Sequence, residues 1–298
     1  MRSSILCFIM ALLGPFAAHA NQVIVDSSQT TVLIRCDDLG MCHTVNIAAK
    51  QLFETGIPVS VSVMFACPWY QEAVEILKRY PNVSVGVHLT LNSEWKNYRW
   101  GPIVGRNAAA SLVDSLGYFF PSRATFFANG PKLEEIRNEL RAQIDRAVHS
   151  GLQIDYLDHH MGTAVDKPEL RAVLESLAKE YGLPISRYFG ETDVSGVYNA
   201  PLANKLDTLL ARTKSLGAGA INLMVFHIGL QTAEMDALED MNSFGLREMS
   251  KHREAEFKAL TSPQFRALVR SNQIRLTTYR EVLKDAGPSS MKRPTPKD

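Results

Sequence analysis

Seven short runs rich in Val, Ile and other apolar residues recur along this chain, with helix-length segments between them. That rhythm limits the fold more than any other feature. The runs lie at 32–36, 59–65, 83–91, 154–158, 185–189, 221–227 and 274–278. Near-continuous apolar character over so short a length suits parallel strands buried on both faces. Helices are expected at 44–54, 68–79, 131–150, 167–181, 201–215 and 246–260. Several open with proline near the first turn, as at Pro68 and Pro168, and several stop at glycine, as at Gly56, Gly151 and Gly182. Proline's fixed φ and glycine's left-handed freedom favour those two places. Repeated strand–helix units with no separate all-β block specify an α/β fold. The expected architecture is a distorted or incomplete (β/α) TIM-like barrel of about seven parallel strands in a single domain, one short of the usual eight.

The barrel domain is expected over 21–285, because both ends read differently. Arg2 gives a basic start, an apolar run follows from Ile5 to Phe16, and Ala18-His19-Ala20 is a small-residue cleavage site. Residues 1–20 therefore read as a signal peptide, and the protein is expected to be exported, periplasmic or extracellular after cleavage near Ala20. The apolar run is short for a bilayer and no later stretch is long enough, so no stable membrane anchor is expected. Residues 286–298 are rich in Pro, Ser and Lys and read as a disordered tail. Hydrophobic residues make up 46% of the 298, enough for a large core, and the net charge of +1 gives no reason to expect nucleic acid as a partner. Cys36, Cys42 and Cys67 remain in the mature chain, an odd count without C-x-x-C spacing. They read as small buried residues rather than zinc ligands, with a Cys36–Cys42 or Cys42–Cys67 bond left open. Two long segments interrupt the rhythm, 92–130 and 229–245. The first carries Trp95, Tyr98, Trp100, Tyr118, Phe119 and Phe120, and reads either as a sugar-stacking or lid segment or as a packed subdomain. The second carries Met and acidic residues.

The chemistry concentrates at strand ends. Asp37 and Asp38 close the first strand and Gly40 follows. Adjacent carboxylates raise each other's pKa, a cost that a cation or a shared proton removes. Histidines stand at three later strand ends: His88, His160 (beside His159) and His227. Singly, each reads as readily as a satisfied core histidine, and either aspartate as a helix cap. Together they fall on one face of a barrel, where α/β folds place their active groups. One carboxylate with histidines from separate strands makes a metal site, and the second carboxylate is left as a base.

The Asp37-Asp38-Leu39-Gly40 turn with Asn46, the Gly86-Val87-His88-Leu89-Thr90-Leu91 strand and Asp158-x-His160 resemble the motifs of the YdjC-like carbohydrate deacetylases, a group that includes chitooligosaccharide deacetylases. The stretch from Arg253-Glu254-x-Glu256 through Ser262-Pro263 to Ile274 is similar to that family's closing segment, so the likeness runs from about Val32 to about Leu283. The resemblance implies a metal-dependent hydrolase that removes the acetyl group from an N-acetylated sugar. It implies Asp38, His88 and His160 as metal ligands, Asp37 as general base and His227 as general acid, with Arg187 orienting or polarising the base. One divalent ion is expected: zinc or magnesium, with cobalt, nickel or manganese also suited to the donor set. Two motifs depart from the family. Its H-x-H-x-H run is here His159-His160-Met161-Gly162-Thr163, and its H-P-G-Y segment is His227-Ile228-Gly229-Leu230. The lost histidines would have lined the substrate cleft, which leaves the exact sugar open. His43 reads either as a partial replacement for them or as part of a helix start. Two alternatives stand beside the deacetylase: a metal-dependent hydrolase of another amide or ester, and an exported carbohydrate-binding protein without turnover. A homodimer is compatible with the sequence.

Overall fold

The structure is a computed structural model that describes residues 28–194, 197–287 and 290–294. The signal peptide expected over 1–20 lies outside the described residues. The elements in chain order are β1 (Thr31–Leu39), α1 (His43–Glu54), β2 (Ser60–Val63), α2 (Tyr70–Leu77), β3 (Ser84–Leu89), α3 (Arg123–Ala128), α4 (Leu133–Val148), β4 (Tyr156–His159), α5 (Pro168–Tyr181), β5 (Thr192–Val194), α6 (Lys205–Lys214), β6 (Ile221–Phe226), α7 (Ala233–Asp236), α8 (Met249–Leu260), α9 (Pro263–Ser271), β7 (Arg275–Thr277) and α10 (Tyr279–Ala286). Every ladder among the strands is parallel. The spatial order is β4-β3-β2-β1-β6-β5, and β7 runs beside the first three residues of β1. Helices follow most strands, so this is an incomplete (β/α) barrel of seven strands in one domain. β1 is central and is buried along its whole length, as its apolar run requires.

The run at 185–189 is not the strand its composition suggests. Ile185 makes a single parallel bridge to Leu157 on the edge of β4. Arg187 and Gly190 then take left-handed backbone angles, φ 71° and 74°, which end any extended run. The chain reaches β6 at Thr192, which pairs with Asn222. Residues 185–192 thus cross from one open edge of the sheet to the other and nearly close the barrel.

Period-two alternation builds the barrel interior in layers. Leu33, Arg35 and Asp37 share one face of β1, Gly86 and His88 one face of β3, and Tyr156 and Asp158 one face of β4. The floor is Leu33, Leu223 and two stacked tyrosines, Tyr156 and Tyr279, whose ring centroids lie 4.2 Å apart. Above it lie Arg35, Asp158 and Ser186, and above those Asp37 and His88 at the carboxyl end.

The segment 92–130 is a packed subdomain. Trp95, Trp100 and Phe119 are buried, with Trp100 Nε1 donating to the Asn92 carbonyl at 2.8 Å and Trp95 Nε1 directed at Met41 Sδ. The tail expected to be disordered differs where it is described. Met291 packs on the core, and the Lys292 N–H donates to the Tyr188 carbonyl at 2.8 Å. Cys36, Cys42 and Cys67 are free and buried, and burial pushes their thiols up, that of Cys42 to about 11.

Candidate metal centre

Two neighbouring residues of a regular strand point to opposite faces, so Asp37 and Asp38 could not both face one cleft from an ideal β1. The register against β2 shifts between Cys36 and Leu39, and Asp38 adopts φ 68°. Aspartate tolerates that left-handed angle better than most residues. This irregularity brings both carboxylates to the barrel mouth, as bulges near active sites do. Gly40, at φ 83°, completes the turn, and a Cβ there would meet the Tyr70 backbone at 3.0 Å. Its N–H donates to Asn46 Oδ1 at 2.8 Å, so Asn46 holds the turn.

Asp38 Oδ1, His88 Nε2 and His160 Nδ1 form a triangle with edges of 3.5, 3.4 and 3.3 Å. A tetrahedral ion with bonds of about 2.1 Å has ligand–ligand edges of about 3.4 Å. Each of the three side chains is held from behind. The Arg253 Nη2 donor reaches Asp38 Oδ2 at 2.6 Å and leaves Oδ1 buried without a partner. Asp158 Oδ2 takes His88 Nδ1 at 2.8 Å, and Glu94 Oε2 takes His160 Nε2 at 3.0 Å. A carboxylate on the far nitrogen of a ligating histidine fixes its tautomer and ring plane. With neutral imidazoles the cluster stays net acidic: Asp37, Asp38, Glu94 and Asp158 meet Arg35, Arg253 and, at 3.9 Å from Asp158, Arg187. Without an ion, protons take its place. Burial pushes both imidazoles down, but Asp37, Asp158 and Asp38 lift His88 to about 9, and Glu94 and Asp38 lift His160 to about 10. Burial likewise opposes ionisation of Asp38, and Arg253 and the histidines overcome it and hold its carboxyl well below the usual range.

Asp37, His88 and Asp158 also converge closely. That trio already has its cation, because Arg35 lies among the carboxylates. Arg35 Nε and Nη2 grip Asp37 at 2.7 and 2.8 Å, and Nη1 reaches Asp158 Oδ1 at 2.8 Å. The guanidinium against Asp37 is therefore Arg35. Arg187, expected in that role, turns its Nε to Asp193 at 3.0 Å and stands 3.9 Å from Asp158.

His159 lines the same cleft, but it is His160 that reaches Asp38; burial pulls His159 down to about 4. His227 follows β6 and faces the cleft with a buried, unpartnered Nδ1. Its backbone N–H donates to Glu256 Oε2 at 2.8 Å, and Glu256 Oε1 pairs with buried Lys205 at 3.2 Å. His43 lies apart from these groups, on Glu72 at 2.8 Å and against Trp69. The cleft holds about 660 Å³ and opens between Ser122–Ala124, Tyr198–Asn199 and Phe244–Gly245.

Sequence reading gave no role to Arg35, Glu94, Asp158 or Arg253. Arg35 had a signal, since a charge inside a buried strand must be paired. Glu94 had none, because its loop carries no period and its partner lies 66 residues away.

These observations define an incomplete parallel barrel with an acid–histidine cluster at its carboxyl end. The family model for YdjC-like proteins matches residues 31–271, and this chain belongs to that family. A carbohydrate deacetylase of Thermoanaerobacter pseudethanolicus is 26% identical over 264 residues, 83% of this chain and 97% of the relative. One from Enterococcus faecalis is 31% identical over 159 residues, 53% of this chain and 58% of the relative. A solved Enterococcus faecalis structure, described as a candidate cellobiose-phosphate cleavage protein, shares the fold with a TM-score of 0.69 at 23% identity, covering 85% of this chain and 99% of that one.

Proposed function

We propose that this protein is a metal-dependent deacetylase of N-acetylated amino sugars or their oligosaccharides, and that Asp38, His88 and His160 hold one divalent ion. The triangle of three buried donors, with a second acid, Asp37, beside it in an open cleft, carries this reading. The names of the relatives support removal of an acetyl group from a carbohydrate.

A bound ion would polarise the acetyl carbonyl and acidify a water molecule. Asp37 would accept the proton of the attacking water as its oxygen adds to the carbonyl carbon. Arg35 orients Asp37 through two parallel hydrogen bonds and cannot itself take up the proton. The C–N bond then breaks, and the amine nitrogen needs a proton to leave. We assign that donation to His227, which lines the cleft with an unpartnered Nδ1. The products are acetate and the free amino sugar. Glu94 orients His160, and Asp158 orients His88 while its other oxygen accepts from Arg35. We give Arg187 a supporting role through Asp158 rather than contact with the base.

The test is acetate release from N-acetylglucosamine oligomers by purified chain, after chelation and after adding back zinc, magnesium, cobalt, nickel or manganese. Metal-restored release supports the reading. A folded protein that binds metal and releases no acetate would transfer the site to another amide or ester. Residues 1–20 we read as an export signal. A mature chain that begins at Asn21, found by N-terminal sequencing of the exported protein, checks this.

A further inference from the structure

Among the described residues, the most exposed aromatic side chain lining the cleft comes from the segment read from sequence as Met and acidic, not from the aromatic-rich one. Phe244 is 72% exposed and lines the cleft, whereas Trp95 and Trp100 are buried. An exposed phenyl ring costs apolar hydration, and a ring on a floppy loop would fold onto the surface. This one is held out. Asp240 pairs with Trp95 in an antiparallel bridge, and Met241 N–H donates to the Glu94 carbonyl at 2.8 Å. Asn242 N–H donates to Asp240 Oδ1 at 2.8 Å, and Asn242 Nδ2 to the Pro121 carbonyl at 2.9 Å. Gly245 then packs so closely on Asp240 that a Cβ would lie 2.1 Å from its Oδ2. The segment that presents Phe244 is thus fastened to Glu94, the residue whose carboxylate orients His160.

We propose that Phe244 is a stacking platform for a second sugar ring, so that the site prefers di- and oligosaccharides over single sugars. This rests on the deacetylase reading for where the reacting ring sits. A pyranose offers one face of C–H groups and a rim of hydroxyls. Phe244 offers the matching apolar face, while Asp240, Asn199 and Arg123 supply hydrogen-bonding groups along the same cleft. Arg123 is held at the mouth by Asp166 at 2.7 Å.

Calorimetric binding of N-acetylglucosamine, its dimer, its tetramer and cellobiose to the full chain tests this, with wild type, Phe244→Ala and Phe244→Trp compared. Phe244→Ala is expected to weaken dimer and tetramer binding about tenfold, to leave the single sugar unchanged, and to keep the melting temperature. Phe244→Trp is expected to restore binding. No preference for the dimer in wild type, or an equal effect of Phe244→Ala on one ring and two, overturns the inference. Acetate release is read separately. Phe244-dependent disaccharide binding without release would keep this subsite and remove the deacetylase reading. Release with Phe244-independent binding would do the reverse.

Discussion

Arg35 sits between two carboxylates inside the barrel, and its removal is the substitution with the clearest energetic sign. Arg35→Ala would leave Asp37 buried without its guanidinium and Asp158 with only His88 and the more distant Arg187. Losing one partner of a buried pair costs roughly 3–5 kcal/mol, so denaturant titration should find a large loss of stability. Arg35→Lys keeps the charge but loses the planar fork. It should keep the fold better and still lower kcat, because Asp37 is no longer fixed from two directions. Arg187→Ala should cost no more than about 1 kcal/mol, since its shortest ion pair, to Asp193, lies at the surface. A stability loss from Arg187→Ala equal to that from Arg35→Ala would contradict this ranking. The acids and histidines of the cluster were legible because a polar residue at the end of an apolar run is conspicuous. Their supports were not. Arg35 is hidden by the strand around it, Glu94 lies in a loop, and Arg253 comes from α8, 215 residues beyond its partner Asp38.

At the scale of elements, the packing of β3 on β4 can be tested without touching a site residue. A Cβ at Gly86 would lie 2.4 Å from the Tyr156 ring, which is pinned by Tyr279 and by a hydrogen bond to Ser62 at 3.0 Å. Gly86→Ala should destabilise the protein by about 1–3 kcal/mol, as overpacking does. It should also weaken metal binding, because β3 carries His88 two residues further on. Thermal melting and metal titration check both effects, and a variant with unchanged melting would show that the ring yields. Strand composition located β1, β2, β3, β4, β6 and β7, since burial on both faces leaves an apolar run wherever it occurs. It failed at 185–189, where a left-handed residue ends the strand and composition carries no sign of backbone angle. The bulge at Asp37-Asp38 was equally invisible, although it decides that both acids face one cleft.

For the whole molecule, the three proposed ligands come from β1, β3 and the turn after β4, so a bound ion ties together strands distant in sequence. An ion that binds only the folded chain should stabilise it by about 2.7 kcal/mol at a hundredfold excess over Kd. For a chain of this size that is a rise in melting temperature of roughly 5–10 °C. The rise should vanish with a chelator and be absent in His88→Ala. Calorimetric scans with and without metal check it, and equal shifts in wild type and His88→Ala would place the ion elsewhere.

The most direct test of the account separates holding the ion from using it. Metal content and acetate release should be measured together on wild type, Asp37→Asn and His88→Ala. The account predicts that Asp37→Asn keeps one ion per chain and loses about 10²–10⁴ in rate, while His88→Ala loses both ion and activity. Near-normal turnover by Asp37→Asn, or a full complement of metal in an inactive His88→Ala, would contradict it.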